Sequence, residues 1–110
     1  MRERLLYSPQ VSLDLDEIYD YFASDLGDPE KGAEVVDGIL SAARQIPGHA
    51  TRYPRVGPLP LTNDDYRFVA VGSYLVFFRV EGATVYVDRV LHKRRDFASL
   101  LASGLITHHS

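Results

Sequence analysis

The densest run of chemically capable side chains is Arg89-Val-Leu-His-Lys-Arg-Arg-Asp96, in which His92, Lys93, Arg94 and Arg95 follow one another. Guanidinium forks bind phosphate and carboxylate alike, so such a run suits recognition of an anion. Arg67 and Arg79 stand on segments that pattern as neighbouring strands and extend the same patch. A structural reading is equally consistent with the spacing: a positive helix start held by Asp96 and by acidic helices elsewhere in the chain.

Other chemistry is sparse. There is no cysteine, which excludes disulfides, thiolate zinc sites and reactive-thiol chemistry. There is no Gly-rich phosphate loop and no Gly-x-Ser-x-Gly elbow. His108 and His109 lie in the last residues without a carboxylate at helical spacing, and His49 sits in a loop where an ordinary polar role is expected. Neither a metal nor a cofactor is therefore expected.

These residues must be positioned by a single domain, given 110 residues, 45% of them hydrophobic and 25% charged. The expected boundaries are 1–103, with a polar tail over 104–110. No apolar run approaches the length of a membrane span, and the opening Met1-Arg-Glu-Arg-Leu-Leu-Tyr7 lacks a signal peptide's apolar stretch, so a soluble cytoplasmic protein is expected. The net charge of −3 conceals an asymmetry. Residues 11–46 hold nine acids and two bases (−7), whereas residues 47–110 hold eight bases and five acids (+3). Two solvated acidic helix faces would produce this, and so would a bipolar molecule whose basic half meets an anionic partner. The weak overall charge argues against non-specific binding to long nucleic acid, which needs many phosphate contacts.

Segment 3–8 reads as a short strand. Ser8-Pro9 then reads as a helix start, with the serine side chain as cap and the proline in the first turn. Val11, Leu15, Ile18, Phe22 and Leu26 fall on one helical face, Asp14, Glu17 and Asp25 on the other, and Leu13 at the edge of the stripe. Gly27-Asp28-Pro29 breaks this helix and starts a second, with Asp28 as cap and Ala33, Val36, Ile39 or Leu40, Ala43 and Ile46 on its apolar face. So short a break predicts an antiparallel helical hairpin. Residues 47–65 contain four of the six prolines and read as a long loop.

Strands follow over Tyr66–Val71, Tyr74–Val80 and Thr84–Leu91, joined by Gly72-Ser73 and by a tight turn at Glu81-Gly82. In the middle strand Tyr74, Val76, Phe78 and Val80 share one face and Leu75, Phe77 and Arg79 the other, which predicts a central strand. Ile18, Phe22 and Val36 are expected to meet Val76 and Phe78 in the core. A short terminal helix is expected to carry Phe97, Leu100 and Leu101. The order is β-α-α-β-β-β-α. The fold class is α+β, an N-terminal strand and a helical hairpin packed on a mainly antiparallel sheet.

This order resembles RelE/ParE toxins of bacterial toxin–antitoxin pairs. The resemblance rests on Tyr66-Arg67, on Val71-Gly-Ser-Tyr-Leu-Val-Phe-Phe-Arg-Val80 and on the ending Val85-Tyr-Val-Asp-Arg-Val-Leu-His-Lys-Arg-Arg-Asp96. It covers about Arg4 to Leu101 and implies a compact α+β domain neutralised by a cognate antitoxin. Two branches exist in that family. RelE-like members cut messenger RNA on the ribosome, and ParE-like members inhibit DNA gyrase.

The residues favour the second branch. RelE-like members commonly carry an arginine after the aromatic that opens the middle strand, where this chain has Leu75. Many also keep a tyrosine near the C-terminus, where this chain has Phe97, whose ring cannot transfer a proton. The implied reading is a toxin that inhibits gyrase by binding, with Arg89, His92, Lys93, Arg94 and Arg95 recognising target or antitoxin. One alternative is a ribosome-dependent RNA endonuclease using His92, Lys93, Arg94, Arg67 and Arg79. A second is a non-toxic interaction module.

Overall fold

A computed structural model describes residues 3–56 and 66–94. Strand β1 (Arg4–Tyr7) is followed by helices α1 (Pro9–Asp20) and α2 (Pro29–Arg44), then by β2 (Arg67–Val71), β3 (Tyr74–Glu81) and β4 (Thr84–His92). The sheet order is β1-β4-β3-β2. β2–β3 and β3–β4 are antiparallel hairpins, while β1 lies parallel to β4 in the register Arg4↔Thr84 to Tyr7↔Val87. The sheet is thus mixed, with two of its three pairings antiparallel. The expected terminal helix, the stretch 57–65, Arg95 and the tail lie outside the described residues.

Both helices start as their prolines and acids require. Pro9 and Pro29 occupy the first turns, where a missing N–H costs nothing, and the Asp28 side chain accepts the Lys31 N–H at 3.0 Å. Ser8, expected to cap α1, makes no such bond. Its hydroxyl instead donates to the Asp88 carbonyl at 2.8 Å, tying the β1–α1 junction to β4.

The end of α1 departs from the regular pattern. Over Tyr21–Asp25 the backbone widens into a π-helical turn, and Leu26 N–H reaches back to the Tyr21 carbonyl at 3.1 Å. The wider turn takes Leu26 off the apolar stripe and leaves it 54% exposed. α2 then returns against α1, and Gly32 permits the approach. A Cβ there would stand 3.1–3.2 Å from Tyr19 and Phe22.

The hairpin covers one sheet face. Val11, Ile18, Ile39 and Ala43 pack with Val76, Phe78, Val85, Val87 and Val90. Ile18, Val76 and Phe78 are buried as expected, while Phe22 and Val36 are half-buried and pack against that cluster. On the other face Tyr66, Leu75, Phe77 and Leu91 form a second, smaller cluster. β3 is therefore apolar on both sides, as its sequence predicts.

β4 carries an irregularity that its sequence does not signal. Phe77 pairs with Arg89 but Phe78 pairs with Val87, so Asp88 is an extra residue, a β-bulge. Strict alternation would send Arg89 after Val87 towards the helices. The bulge sends Val90 there instead and turns Leu91 to the opposite cluster.

Candidate functional site

The bulge decides where the basic residues go. Arg89 leaves the sheet at the point where β1 has ended, and its guanidinium meets Asp14 on α1 through two bonds of 3.0 Å. Asp14 also accepts the Val90 N–H at 2.9 Å and the Gln10 amide at 3.2 Å. It therefore supplies an acceptor on the edge of β4 just past the end of β1. Asp14 does not lie on the solvent side of α1, where its position in the sequence puts it: it is 2% exposed. The helical spacing is right, but the charged neighbour that makes burial possible comes from 75 residues downstream.

Arg79 is also engaged. Its Nε donates to Asp88 at 3.0 Å, it contacts Glu81, and it lies 4.5 Å over the Tyr86 ring. Burial works against its charge, but Asp88 and Glu81 outweigh that effect and hold the guanidinium above its ordinary pKa. Arg67 donates to the Tyr53 carbonyl at 2.7 Å and to Thr51 at 3.4 Å, pinning the preceding loop beside β2. Arg67, Arg79 and Arg89 thus all serve internal contacts.

At the end of β4 the exposed cations Lys93 and Arg94 follow half-buried His92. The His92 ring meets Tyr74 edge-on at 5.3 Å, and its Nδ1 accepts the Arg94 N–H at 3.1 Å. In the neutral ring the proton therefore sits on Nε2. His92, Lys93 and Arg94 stay together as the sequence suggests. Arg67, Arg79 and Arg89 are drawn into other contacts.

His92 and Tyr74 line a groove of about 710 Å³. It opens between the hairpin and the β2–β3 turn, where Gly72 takes the positive φ of 58° that the two-residue loop requires. Ile18, Phe22, Val35 and Val71 make its lining apolar. Tyr21 and Leu26, 48% and 54% exposed, stand at its rim. Burial, and to a lesser degree the nearby Tyr21, raises the Tyr74 phenol above 10.0. The groove was not read from the sequence, because the π turn that displaces Leu26 leaves no mark in apolar spacing. Among the described residues no cluster of acids and histidines could hold a metal, and no helix is long and apolar enough to cross a membrane.

Comparison with known proteins agrees with this architecture. A chain described as the chromosomal ParDE toxin–antitoxin system from P. aeruginosa superposes with a TM-score of 0.69 at 24% identity, over 82% of this chain and 95% of that one. No curated protein sequence matches significantly. The family model for the ParE toxin of the type II toxin–antitoxin system parDE matches residues 5–97, a stretch that includes the hairpin, the groove and the whole sheet from Leu5 onward, and by that match the chain belongs to the ParE toxin family.

Proposed function

We propose that this chain is the toxin of a toxin–antitoxin pair, that it inhibits DNA gyrase by contact rather than by catalysis, and that a cognate antitoxin neutralises it in the cytoplasm. The observation that carries this reading is the fate of Arg67, Arg79 and Arg89. Cleaving RNA requires cations free to stabilise charge on phosphate. Arg79 and Arg89 are instead committed to Asp88 and Asp14, and Arg67 to backbone carbonyls. Leu75, where a nuclease would carry a cation, is buried in the smaller apolar cluster. What remains exposed at the end of β4, Lys93 and Arg94 beside His92, is suited to recognising a protein surface.

The groove is the seat we assign to the antitoxin. Its apolar lining and exposed Tyr21 and Leu26 are features of a surface that a partner segment covers. Leu26→Glu should leave the fold intact and weaken antitoxin binding at least about tenfold, about 1.4 kcal/mol, read by titration calorimetry. The test of the target is inhibition of gyrase supercoiling, or accumulation of its cleaved DNA complex, by purified protein. No effect at micromolar toxin would refute gyrase as the target. Transcripts cut inside translating ribosomes would establish the nuclease alternative instead.

A further inference from the structure

A second concavity, of about 1030 Å³, lies where the start of β1, the end of α2 and the 3-10 turn Ala50–Arg52 meet. It shares no lining residue with the antitoxin groove. Leu5, Pro47 and Tyr53 give it apolar walls, and Arg44, His49 and Arg52 stand around it as exposed side chains. The lining has one carboxylate, Glu3, which accepts the Gly48 N–H at 2.8 Å and so holds the turn that follows α2.

The state of Arg44 and Arg52 differs from that of Arg79 and Arg89. The fold supplies partners for two arginines of the sheet: Asp88 and Glu81 for Arg79, Asp14 for Arg89. Among the described residues, neither the Arg44 nor the Arg52 guanidinium makes a hydrogen bond or ion pair. Two unpaired guanidinium forks beside apolar walls present a surface complementary to carboxylates carried next to an apolar side chain. The volume exceeds what a single small anion needs and suits several residues of a peptide.

We propose that this basic groove binds an acidic peptide segment of a protein partner, with carboxylates on Arg44 and Arg52 and an apolar anchor against Leu5 and Tyr53. Nucleic acid is the poorer fit. Its backbone offers phosphates but no apolar anchor, and the −7 carried by residues 11–46 repels a long polyanion. The site goes beyond the gyrase reading and does not depend on it, because binding is measured on this chain alone.

The probe is a fluorescein-labelled octapeptide of alternating glutamate with leucine and phenylalanine. Its competitors are the same peptide with every glutamate changed to glutamine, inorganic phosphate, and a short DNA duplex. We expect saturable binding by the intact chain, with amide resonances of Leu5, Gly48 and Tyr53 shifting on titration. The double variant Arg44→Ala/Arg52→Ala, both at exposed positions, should melt like the parent and bind the peptide at least about tenfold more weakly, as expected when two charge-assisted contacts are lost. The glutamine peptide should compete poorly and phosphate only at far higher concentration. Lack of saturation, undiminished binding by the folded double variant, equal binding of the glutamine peptide, or tighter binding of the duplex would each overturn the proposal.

Discussion

Asp14 holds the hairpin to the sheet through a charge. A carboxylate that is 2% exposed is stable only when its lone pairs are filled, and here Arg89, Val90 and Gln10 fill them. Removing one member strands the other. Asp14→Asn keeps an acceptor for the Val90 N–H but leaves the Arg89 charge unpaired, and should cost about 3 kcal/mol or more in chemical denaturation. Asp14→Leu with Arg89→Met removes both charges, and should recover part of that loss. Tyr74 supplies a test in pH. Its proton is held more tightly in the folded chain than in the unfolded one, because burial opposes the phenolate. Stability is therefore unaffected below pH 10.0, the ordinary phenol value, and falls as pH rises through the raised folded value. Tyr7 is raised by burial too, with Arg44 opposing the rise, and adds to the same fall. Tyr74→Phe should flatten the alkaline limb of a stability–pH curve, and an unchanged slope would show that other groups set it.

β3 is the element whose sequence states its place most directly. Runs of apolar residues on both faces require two covering layers, and the structure provides the hairpin on one side and a smaller cluster on the other. Phe78, fully buried and edge-on to Tyr53 at 5.6 Å, anchors the hairpin side. Phe78→Ala should cost about 3–5 kcal/mol, enough to unfold a marginal domain. A folded, equally stable variant would mean that β3 faces the other way. The strands, both helix starts and the hairpin were legible because each depends on local signals: alternation, Pro9 and Pro29, the Asp28 cap and the turn glycines. The π turn at Tyr21–Asp25 and the bulge at Asp88 were not, because each inserts an extra residue into a period that apolar spacing presumes regular. The site depends on both irregularities. The π turn sets Leu26 at the groove rim, and the bulge sends Arg89 to Asp14. The basic run at the end of β4 was therefore visible as composition, while the division between engaged Arg89 and exposed Lys93 and Arg94 was not.

The distribution of charge over the molecule bears directly on how it acts. Acids crowd the hairpin, and the cations that stay exposed at the end of β4 are Lys93 and Arg94, next to His92. If these groups recognise a protein, what matters is charge and hydrogen bonding at a surface, not a titrating ring. His92→Gln keeps a hydrogen-bonding side chain while removing the imidazole, and toxicity should survive it, reduced at most about tenfold, the ~1.4 kcal/mol of one modest contact. Lys93→Ala with Arg94→Ala removes two exposed charges and should weaken toxicity more, with little change in thermal stability. A nuclease reverses this order, because proton transfer by a positioned side chain contributes about 10²–10⁴-fold and the histidine change would then be the more damaging. Growth inhibition after induction, compared between the two variants at matched expression, separates the cases. A His92→Gln protein that is inactive yet folded and still bound by its antitoxin would overturn the gyrase reading, since recognition at that surface would be intact and only the chemistry missing.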